Sequence, residues 1–308
     1  MVNGFKILKR TIVKAVYLTA LTVTFLFGIA SFIAFTAFFD FNKKKGEHLG
    51  LSVKPFYERL ETVFSQLKEF TLKSFLDYIG NTQVINAFSN SYKILGISLV
   101  TIIVFGSLIA FLVVLSPLRL RSMLHRFLDY FEGLPDLLFI FAINMLNIYL
   151  LKEFNYKIFP MYGFGSARPV AFPVIVVSFL PAVLFGLYLL KNMEDEEEEH
   201  YIHFGMAKGL TKIYLYSIYM IRNILPVFTI KFRMIIYMLL SNLILVEHMY
   251  HYETTLTNLI MFEMFRGEHV LTLIYSIVIF ISPAIILEYL IKLSVKMLVI
   301  RKRGALQI

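Results

Sequence analysis

The sequence predicts an all-α membrane protein with six transmembrane helices. Hydrophobic residues make up 58% of its 308 residues, and the mean hydropathy is +0.72, both well above the values of ordinary soluble domains. Only 17% of the residues are charged, too few to solvate the surface of a soluble protein of this length. Six apolar runs, most of them long enough to cross a hydrocarbon core of about 30 Å, account for most of the chain.

Cysteine content and charge exclude several kinds of site. The chain has no cysteine, so it has no disulfide framework, no thiolate metal site and no cysteine nucleophile. The formal net charge is +9, and most basic residues stand at the ends of apolar runs. We interpret this charge as a signal of orientation and of contact with lipid headgroups, and not of nucleic-acid binding.

The first apolar run, from about Ile12 to Phe39, predicts the first transmembrane helix within an N-terminal segment, residues 1–39. Basic residues stand at its start, at Lys6, Lys9, Arg10 and Lys14. The run is too long for a signal peptide, and no small-residue cleavage pattern follows it. We expect a cytoplasmic N-terminus, because basic residues favour that side.

Residues 40–91 are the one sizeable polar region and predict extracytoplasmic helices. Apolar residues recur there at the spacing of one or two amphipathic helices, at Leu60, Val63, Phe64, Leu67, Phe70 and Leu76. The lysines of this region do not place it in the cytoplasm, because long translocated segments largely escape the positive-inside rule. We expect it to pack as an outer cap.

Residues 92–308 predict a core of five further transmembrane helices. The apolar runs are about Tyr92–Leu115, Leu137–Leu151, Val170–Leu190, Pro226–Val246 and Val270–Met297. Arg119, Arg121 and Arg126 lie in a short loop after the first of these runs and mark it as cytoplasmic. Pro226 is expected at the start of its helix, where a missing N–H costs little. The C-terminus is basic and is expected in the cytoplasm.

Four polar residues lie inside these predicted spans. Asn144 and Asn147 are three residues apart, so they share one helix face that should point into the bundle. Ser241 and Asn242 lie in the fifth span. Such residues either line a path through the bundle or form hydrogen bonds between helices, and the second use is the commoner one.

The segment between the fourth and fifth spans, residues 191–225, is too long for a minimal connector. Ala207, Leu210 and Tyr214 recur at three- and four-residue intervals, as in an amphipathic helix outside the bilayer. Gly209 interrupts the pattern and can take the positive φ of a bend, so we expect two short helices that meet there. An ordinary cytoplasmic loop is the alternative.

An acidic run, Glu194–Glu199, stands near the beginning of this segment. We expect it to be a solvated helix start, where carboxylates meet the positive end of the helix dipole. A metal site is disfavoured, because contiguous carboxylates do not converge on one ion and the run has no histidine partner. The last outer loop is predicted to begin at about Glu247 and to include His248 and His251. These histidines show only a weak pattern, so no metal site is predicted there either.

The residues of this segment carry a resemblance to a known family. Those that match are Tyr201, Ala207-Lys208-Gly209-Leu210, Arg222-Asn223 and Leu225-Pro226. They resemble the coupling loop, or EAA loop, of ABC importer permeases, and are most similar to the dipeptide/oligopeptide permease family. Downstream, Val246-Glu247 and Tyr250 resemble the family's V-E-T-V-F motif, but Glu253-Thr254 stands where a proline–glycine turn usually follows. Gly205 also departs from the family, which usually has alanine there. The resemblance runs from about Tyr92 to the C-terminus.

This resemblance implies a type I ABC importer-like bundle and a non-catalytic role. The chain has no G-x-x-x-x-G-K-[ST] loop, so ATP and Mg²⁺ would bind to partner subunits. The implied partners are a second permease subunit, two cytoplasmic ATPase subunits and an extracytoplasmic substrate-binding protein, in a bacterial plasma membrane. Di- or oligopeptides would be the default substrates, with nickel or another small solute as the alternative. The implied contacts with the ATPase are Tyr201, Ala207, Lys208, Gly209 and Leu210.

Two other classes of protein remain open at this stage. A secondary transporter needs intramembrane acids or histidines and an inverted repeat, but here the acids cluster at helix ends and no convincing repeat is visible. A membrane sensor or assembly subunit without transport is the second alternative. Co-purification with an ATPase distinguishes an importer subunit from both.

Overall fold

The fold is known from a computed structural model, which describes residues 24, 27–28, 30–41, 49–51, 53–154, 170–250, 254–266 and 269–305. From residue 53 onward, these ranges contain eleven α-helices: α1 (Val53–Lys68), α2 (Leu72–Ile79), α3 (Thr82–Val114), α4 (Leu118–Glu132), α5 (Asp136–Phe154), α6 (Ala171–Glu197), α7 (His200–Ala207), α8 (Lys212–Tyr214), α9 (Ile221–Met249), α10 (Leu256–Arg266) and α11 (Val270–Ala305). A π-helical turn, Leu215–Met220, joins α8 to α9. Two three-residue strands, β1 (Phe39–Phe41) and β2 (Leu49–Leu51), pair antiparallel.

The chain divides into two compact units. The first comprises Met1–Asn81 and Ile260–Ser276, and the second comprises Thr82–Leu259 and Ile277–Ile308. The first unit contains the strand pair, α1 and α2, so the helices predicted between residues 40 and 91 are confirmed for residues 53–79. Residues 82–91 instead belong to α3, which begins ten residues before the predicted start at Tyr92. Thr71 caps α2, because its hydroxyl accepts from the Ser74 N–H while the Ser74 hydroxyl accepts from the Thr71 N–H, a reciprocal capping box.

In the first unit, Tyr275 is the residue around which the helices pack. Its ring lies 5.8 Å from that of Phe70, 5.2 Å from that of Phe75 and 5.5 Å from that of Tyr78, measured between centroids. Its hydroxyl is 2.8 Å from the Ser74 hydroxyl. Edge-on aromatic contacts of this kind add to the area that they bury, so Tyr275 holds the start of α11 against α2.

In the second unit, α6 is the central helix. Of its most apolar stretch, 89% is buried within the protein, as expected for a helix that is apolar on all sides. It crosses α3 at Gly106 and Gly186, where a Cβ on Gly106 would lie 2.7 Å from the Ala182 carbonyl oxygen and one on Gly186 would lie 2.9 Å from the Gly106 carbonyl oxygen. Glycine at both positions therefore allows the backbones to touch, as at many crossings of membrane helices.

Five of the described helices contain stretches long and apolar enough to cross a membrane. These stretches are Thr82–Val114, Asp136–Phe154, Ala171–Glu197, Lys231–Met249 and Val270–Ser294, and each contains or overlaps one of the five runs predicted for the core. The other predicted span, Ile12 to Phe39, lies mostly outside the described residues, although residues 30–35 are helical. The protein is therefore a helical, multi-pass membrane protein.

Two expectations about helix boundaries are wrong. The three arginines that were assigned to a short loop lie in α4, a 15-residue helix that begins after Pro117 and buries Leu128. Pro226 does not start its helix but is the sixth residue of α9. Proline has no N–H to donate to the carbonyl one turn earlier, so Pro226 interrupts the hydrogen bonding of α9. The π-helical turn just before α9 shows that the hydrogen bonding of this segment is already irregular before Pro226.

Candidate functional site

The candidate site is the bend between α7 and α8. Gly209 has φ = 81° and is the glycine recorded with a positive φ in the described part of the chain. The Gly209 N–H donates to the Met206 carbonyl at 2.9 Å, and the Leu210 N–H donates to the Gly205 carbonyl at 3.2 Å. This pair of bonds is a Schellman motif, in which the helix ends on a left-handed glycine. The prediction of two short helices that meet at Gly209 is confirmed.

After the bend, the chain returns to pack on α7. Thr211 caps α8, since its hydroxyl accepts from the Tyr214 N–H, and Leu215 of the π-helical turn is 1% exposed. A Cβ on Gly205 would overlap the Leu215 side chain. The close contact of α7 with the turn therefore explains why glycine stands where the resembling family usually has alanine.

The residues predicted to contact a partner are exposed. Ala207, Lys208, Gly209 and Leu210 form one exposed run at the bend. Beside it, Phe204 is 62% exposed and Ile213 is 63% exposed, and the Lys208 ammonium lies 4.3 Å from the centroid of the Phe204 ring. Tyr201 is only half-exposed, and its hydroxyl donates to Glu196 at 2.7 Å. The bend thus presents a small surface of mixed apolar and basic character.

Most of the acidic run has a different structure from the one expected. Glu194 to Glu197 are not at a helix start but in the last turn of α6, where the helix dipole disfavours negative charge. Glu199 does stand at a helix start, as the N-cap of α7. Arg121 of α4 compensates this charge, with its Nε 2.9 Å from Glu194 and one terminal nitrogen 2.6 Å from Glu197. His125 Nδ1 lies 3.1 Å from the other Glu194 oxygen, and Tyr216 donates to Glu197. We call these five residues the α6-end cluster: Arg121, His125, Glu194, Glu197 and Tyr216.

Hydrogen bonds and burial at the end of α6 raise the pKa of Arg121, Tyr201 and Tyr216. Burial tends to lower the pKa of the Arg121 guanidinium, but its hydrogen bonds to Glu197 and Glu194 outweigh burial and raise it. Burial and the bond to Glu197 raise the pKa of Tyr216, and burial with the bond to Glu196 raises that of Tyr201. Both phenols therefore remain donors at physiological pH. Through them, the end of α6 is tied to α7 and to the π-helical turn.

Sequence reasoning missed the role of Arg121. The sequence did contain a signal. Arg121 and His125 are four residues apart on one segment, and Glu194 and Glu197 are three residues apart on another. Each pair therefore lies on one helix face. Lys191 of α6 also pairs with Asp129 at 3.2 Å and Glu132 at 2.9 Å. These outer pairs are 40–46% exposed, so they contribute little by themselves.

The four polar residues predicted within the spans lie in two different places. Asn144 and Asn147 are 3% and 7% exposed, as predicted, and the Asn144 amide oxygen accepts from the Tyr250 hydroxyl at 2.7 Å. That bond joins α5 to the end of α9, so Asn144 forms a hydrogen bond between helices, the second of the two predicted uses. Ser241 and Asn242 instead lie at an open pocket against the start of α5, where Ser241 is exposed and Asn242 is buried.

Glu247 was expected in the outer loop but lies inside α9 and is fully buried. Its carboxylate accepts from the Thr257 hydroxyl at 2.6 Å. Nearby, the hydroxyl of buried Ser91 accepts from the Leu256 N–H at 3.0 Å. Hydroxyl and amide donors thus join α3, α9 and the start of α10 at one end of the second unit, and Glu247 is part of that packing.

The fold and the site define a class of protein: a multi-pass helical membrane protein with an exposed helix–bend–helix segment attached to its central helix. A scan against protein-family models finds no match, and a search of curated proteins finds no relative. We call residues 200–220, from α7 to the end of the π-helical turn, the bend segment. The resemblance to ABC importer permeases therefore depends on the residues of the bend segment and those that follow it.

Proposed function

We propose that this protein is the transmembrane permease subunit of a binding-protein-dependent ABC importer. It would form half of a translocation path and couple it to cytoplasmic ATPase subunits, and peptides would be the transported class. The observation that carries the proposal is the bend at Gly209. A left-handed glycine between two short helices exposes Ala207, Lys208, Gly209 and Leu210 together, at the positions where the resembling family contacts its ATPase.

The attachment of the bend segment suits it to transmit motion. Tyr201 ties α7 to Glu196 at the end of α6, while Tyr216 and Arg121 tie the π-helical turn and α4 to the same end. A displacement of α7 would therefore reach α6 directly and α9 through the continuous helical chain from Lys212 to Met249. Packed helices change arrangement as bodies, so a partner that moves α7 would move two transmembrane helices.

The remaining parts of an importer would be separate proteins. ATP and Mg²⁺ would bind to two ATPase subunits, and this chain would be non-catalytic. A second permease subunit would complete the path, to which we assign Asn144, Asn147, Ser241 and Asn242. Residues 40–91, with α1 and α2, would lie on the outer face of a bacterial plasma membrane, where a substrate-binding protein docks. The permease core would occupy residues 92–308.

A non-transporting membrane sensor or assembly subunit is the second candidate. One observation favours it: Glu247 and Tyr250, in the stretch that resembles a family motif, are buried in packing contacts at the end of α9. A secondary transporter has less support, because Glu247 is the one fully buried acid in the described membrane-spanning stretches.

The orientation of the chain provides the first test. Reporter fusions after Arg126, Lys208 and Arg303 should report the cytoplasm, and fusions near Glu61 and Glu263 should report the outside, because the basic segments favour the inner face. Fusion activity in whole cells measures each location. A cytoplasmic signal at Glu61 would contradict the six-span arrangement.

The proposed function itself is tested by affinity purification of the tagged full-length chain from its native membrane. We expect an ATPase carrying a P-loop to co-purify in stoichiometric amount. Ala207→Arg should remove that ATPase, because a long charged side chain on the exposed face of α7 prevents the helix from entering a cleft. Ala207→Ser is the matched control, since it keeps the small size and should retain the ATPase. Purification of the wild-type chain without any ATPase would refute the importer proposal.

A further inference from the structure

The helix α4 exposes a stripe of large apolar side chains. Leu120, Met123, Phe127 and Tyr130 are between 43% and 77% exposed, and they recur at intervals of three and four residues. They therefore lie along one side of the helix, while the buried residue Leu128 lies on the other side. A contiguous apolar surface that is left exposed on a folded protein indicates a contact with another protein or with a membrane.

Two arginines border this apolar stripe. Arg119 and Arg126 are seven residues apart, so they lie two turns apart on the same side of α4, each four residues before a member of the stripe, Met123 or Tyr130. Both arginines are exposed, and neither forms an ion pair within the part of the chain that the structure describes. The stripe and the two arginines together are called the α4 outer face.

The ion pairs on the opposite side of α4 place the helix at a membrane surface. Arg121 contacts Glu194 at 2.9 Å, and Glu132 contacts Lys191 at 2.9 Å. Both partners belong to the part of α6 that directly follows its apolar run, which ends at about Leu190. The helices before and after α4, α3 and α5, both contain membrane-spanning stretches. The helix α4 therefore joins two spans at the level where the apolar part of α6 ends.

A bilayer surface is the occupant that fits both parts of the α4 outer face. At this level, acyl chains and lipid phosphates lie side by side, and an amphipathic helix in the membrane surface buries its apolar side about 5–10 Å into the boundary between them. The arginines next to the stripe meet the phosphates, where each basic residue favours anionic lipid roughly fivefold. A protein partner would need its own acids at two places beside an apolar surface.

We propose that the α4 outer face binds the bilayer surface, with its apolar stripe among the acyl chains and its two arginines on the phosphates of anionic lipids. The proposal depends on the exposure of this face and on the position of α4 beside the end of α6. It does not depend on the importer function.

The test uses tryptophan fluorescence of the full-length chain in lipid vesicles. The chain has no tryptophan, so Phe127→Trp introduces a single probe in the apolar stripe, and Ser122→Trp introduces one at an exposed position outside the stripe. The vesicles contain phosphatidylcholine with a minor fraction of phosphatidylglycerol, and either lipid carries bromine atoms on its acyl chains. Bromine quenches a tryptophan among the lipids, and acrylamide quenches one in water.

We expect brominated lipid to quench Phe127→Trp about threefold or more as strongly as Ser122→Trp, because only the stripe enters the acyl region. Acrylamide should show the opposite order. Strong quenching of Phe127→Trp by acrylamide means that the face is in water and overturns the proposal. Quenching by neither agent means that protein covers the face, which also overturns it.

The two arginines are tested by the choice of lipid. At equal fractions of brominated lipid, phosphatidylglycerol should quench Phe127→Trp more than phosphatidylcholine does. Adding Arg119→Gln and Arg126→Gln should lower that preference by roughly fivefold or more. Lys68→Gln with Lys73→Gln, which removes two exposed positive charges from α1 and α2, is the matched control and should leave the preference unchanged. Unfolding midpoints establish that each variant is folded.

Equal quenching by the two lipids, or a preference that survives the loss of both arginines in the folded protein, overturns the anionic-lipid site. These outcomes are separate from the test of the proposed function. A chain that co-purifies with an ATPase but shows no lipid contact at Phe127→Trp keeps the importer proposal and loses the lipid surface. A chain with the lipid contact and no ATPase keeps the lipid surface and loses the importer.

Discussion

Gly209→Val should abolish substrate-stimulated ATP hydrolysis and uptake by the assembled transporter while membrane insertion and pairing with the second permease persist. The backbone at Gly209 has φ = 81°, which a β-branched residue resists at a cost of about 1–3 kcal/mol. A cost of that size lowers the population of the native bend about 5- to 150-fold. A Cβ at this position would meet nothing within 4 Å, so the effect comes from backbone conformation and not from a clash.

Gly209→Asn is the control that separates these two causes. Asparagine has a larger side chain than alanine but tolerates the left-handed conformation, so this variant should keep most of the activity. Tyr214→Phe, a change of one exposed hydroxyl on the neighbouring helix, should be nearly silent. Normal transport by Gly209→Val would mean that the bend is a passive connector, and the importer proposal would lose its main support.

Arg121→Met should produce the largest loss of stability. It leaves Glu194 and Glu197 without their main cation at the negative end of the α6 dipole. The Arg121 side chain is 13% exposed and each glutamate side chain 24%, so we expect a destabilisation of about 2–3 kcal/mol, somewhat below that of a fully buried pair. Thermal unfolding in detergent measures it as a midpoint lower by roughly 5 °C or more.

A charge-balanced variant tests whether the loss is electrostatic. Adding Glu194→Gln and Glu197→Gln to Arg121→Met should restore most of the midpoint, because the uncompensated carboxylates are gone. Arg126→Met, which removes a positive charge from the exposed side of the same helix, should stay within about 0.5 kcal/mol of the wild-type protein. If Arg126→Met lowers the midpoint as much as Arg121→Met, net charge and not the α6-end cluster explains the loss.

The apolar runs were sufficient to predict the five membrane-spanning helices and their order, because length and hydropathy are local properties of the sequence. The bend was also predictable, since glycine inside a helical pattern has few uses. Long-range pairing was not predictable. The partner of the acidic run, Arg121, lies 73 residues before Glu194. The local sequence also does not distinguish glutamates that end a helix from glutamates that start one.

The open pocket between α5 and α9 shows the same limit more strongly. The sequence placed Ser241 and Asn242 as polar residues within a span. It did not single out Asp136, because a carboxylate directly after Gly133-Leu134-Pro135 is expected at the solvent-exposed start of a helix. Only the packing of α5 on α9 brings that carboxylate beside Asn242. Similarly, Glu247 was assigned to a loop because a single acid near a span end usually marks the water boundary.

The glycine contact between α3 and α6 restricts how this protein can change shape. At Gly106 and Gly186, each backbone fills the space that a methyl group would need on the other helix. Sliding along the axis by one turn would replace Gly106 at the contact by a residue three or four positions away, such as Ile102 or Ala110, and a Cβ does not fit at this separation. Alternation between two states would therefore carry α3 and α6 as one rigid pair, and the relative movement would occur at the surfaces of α9 and α5.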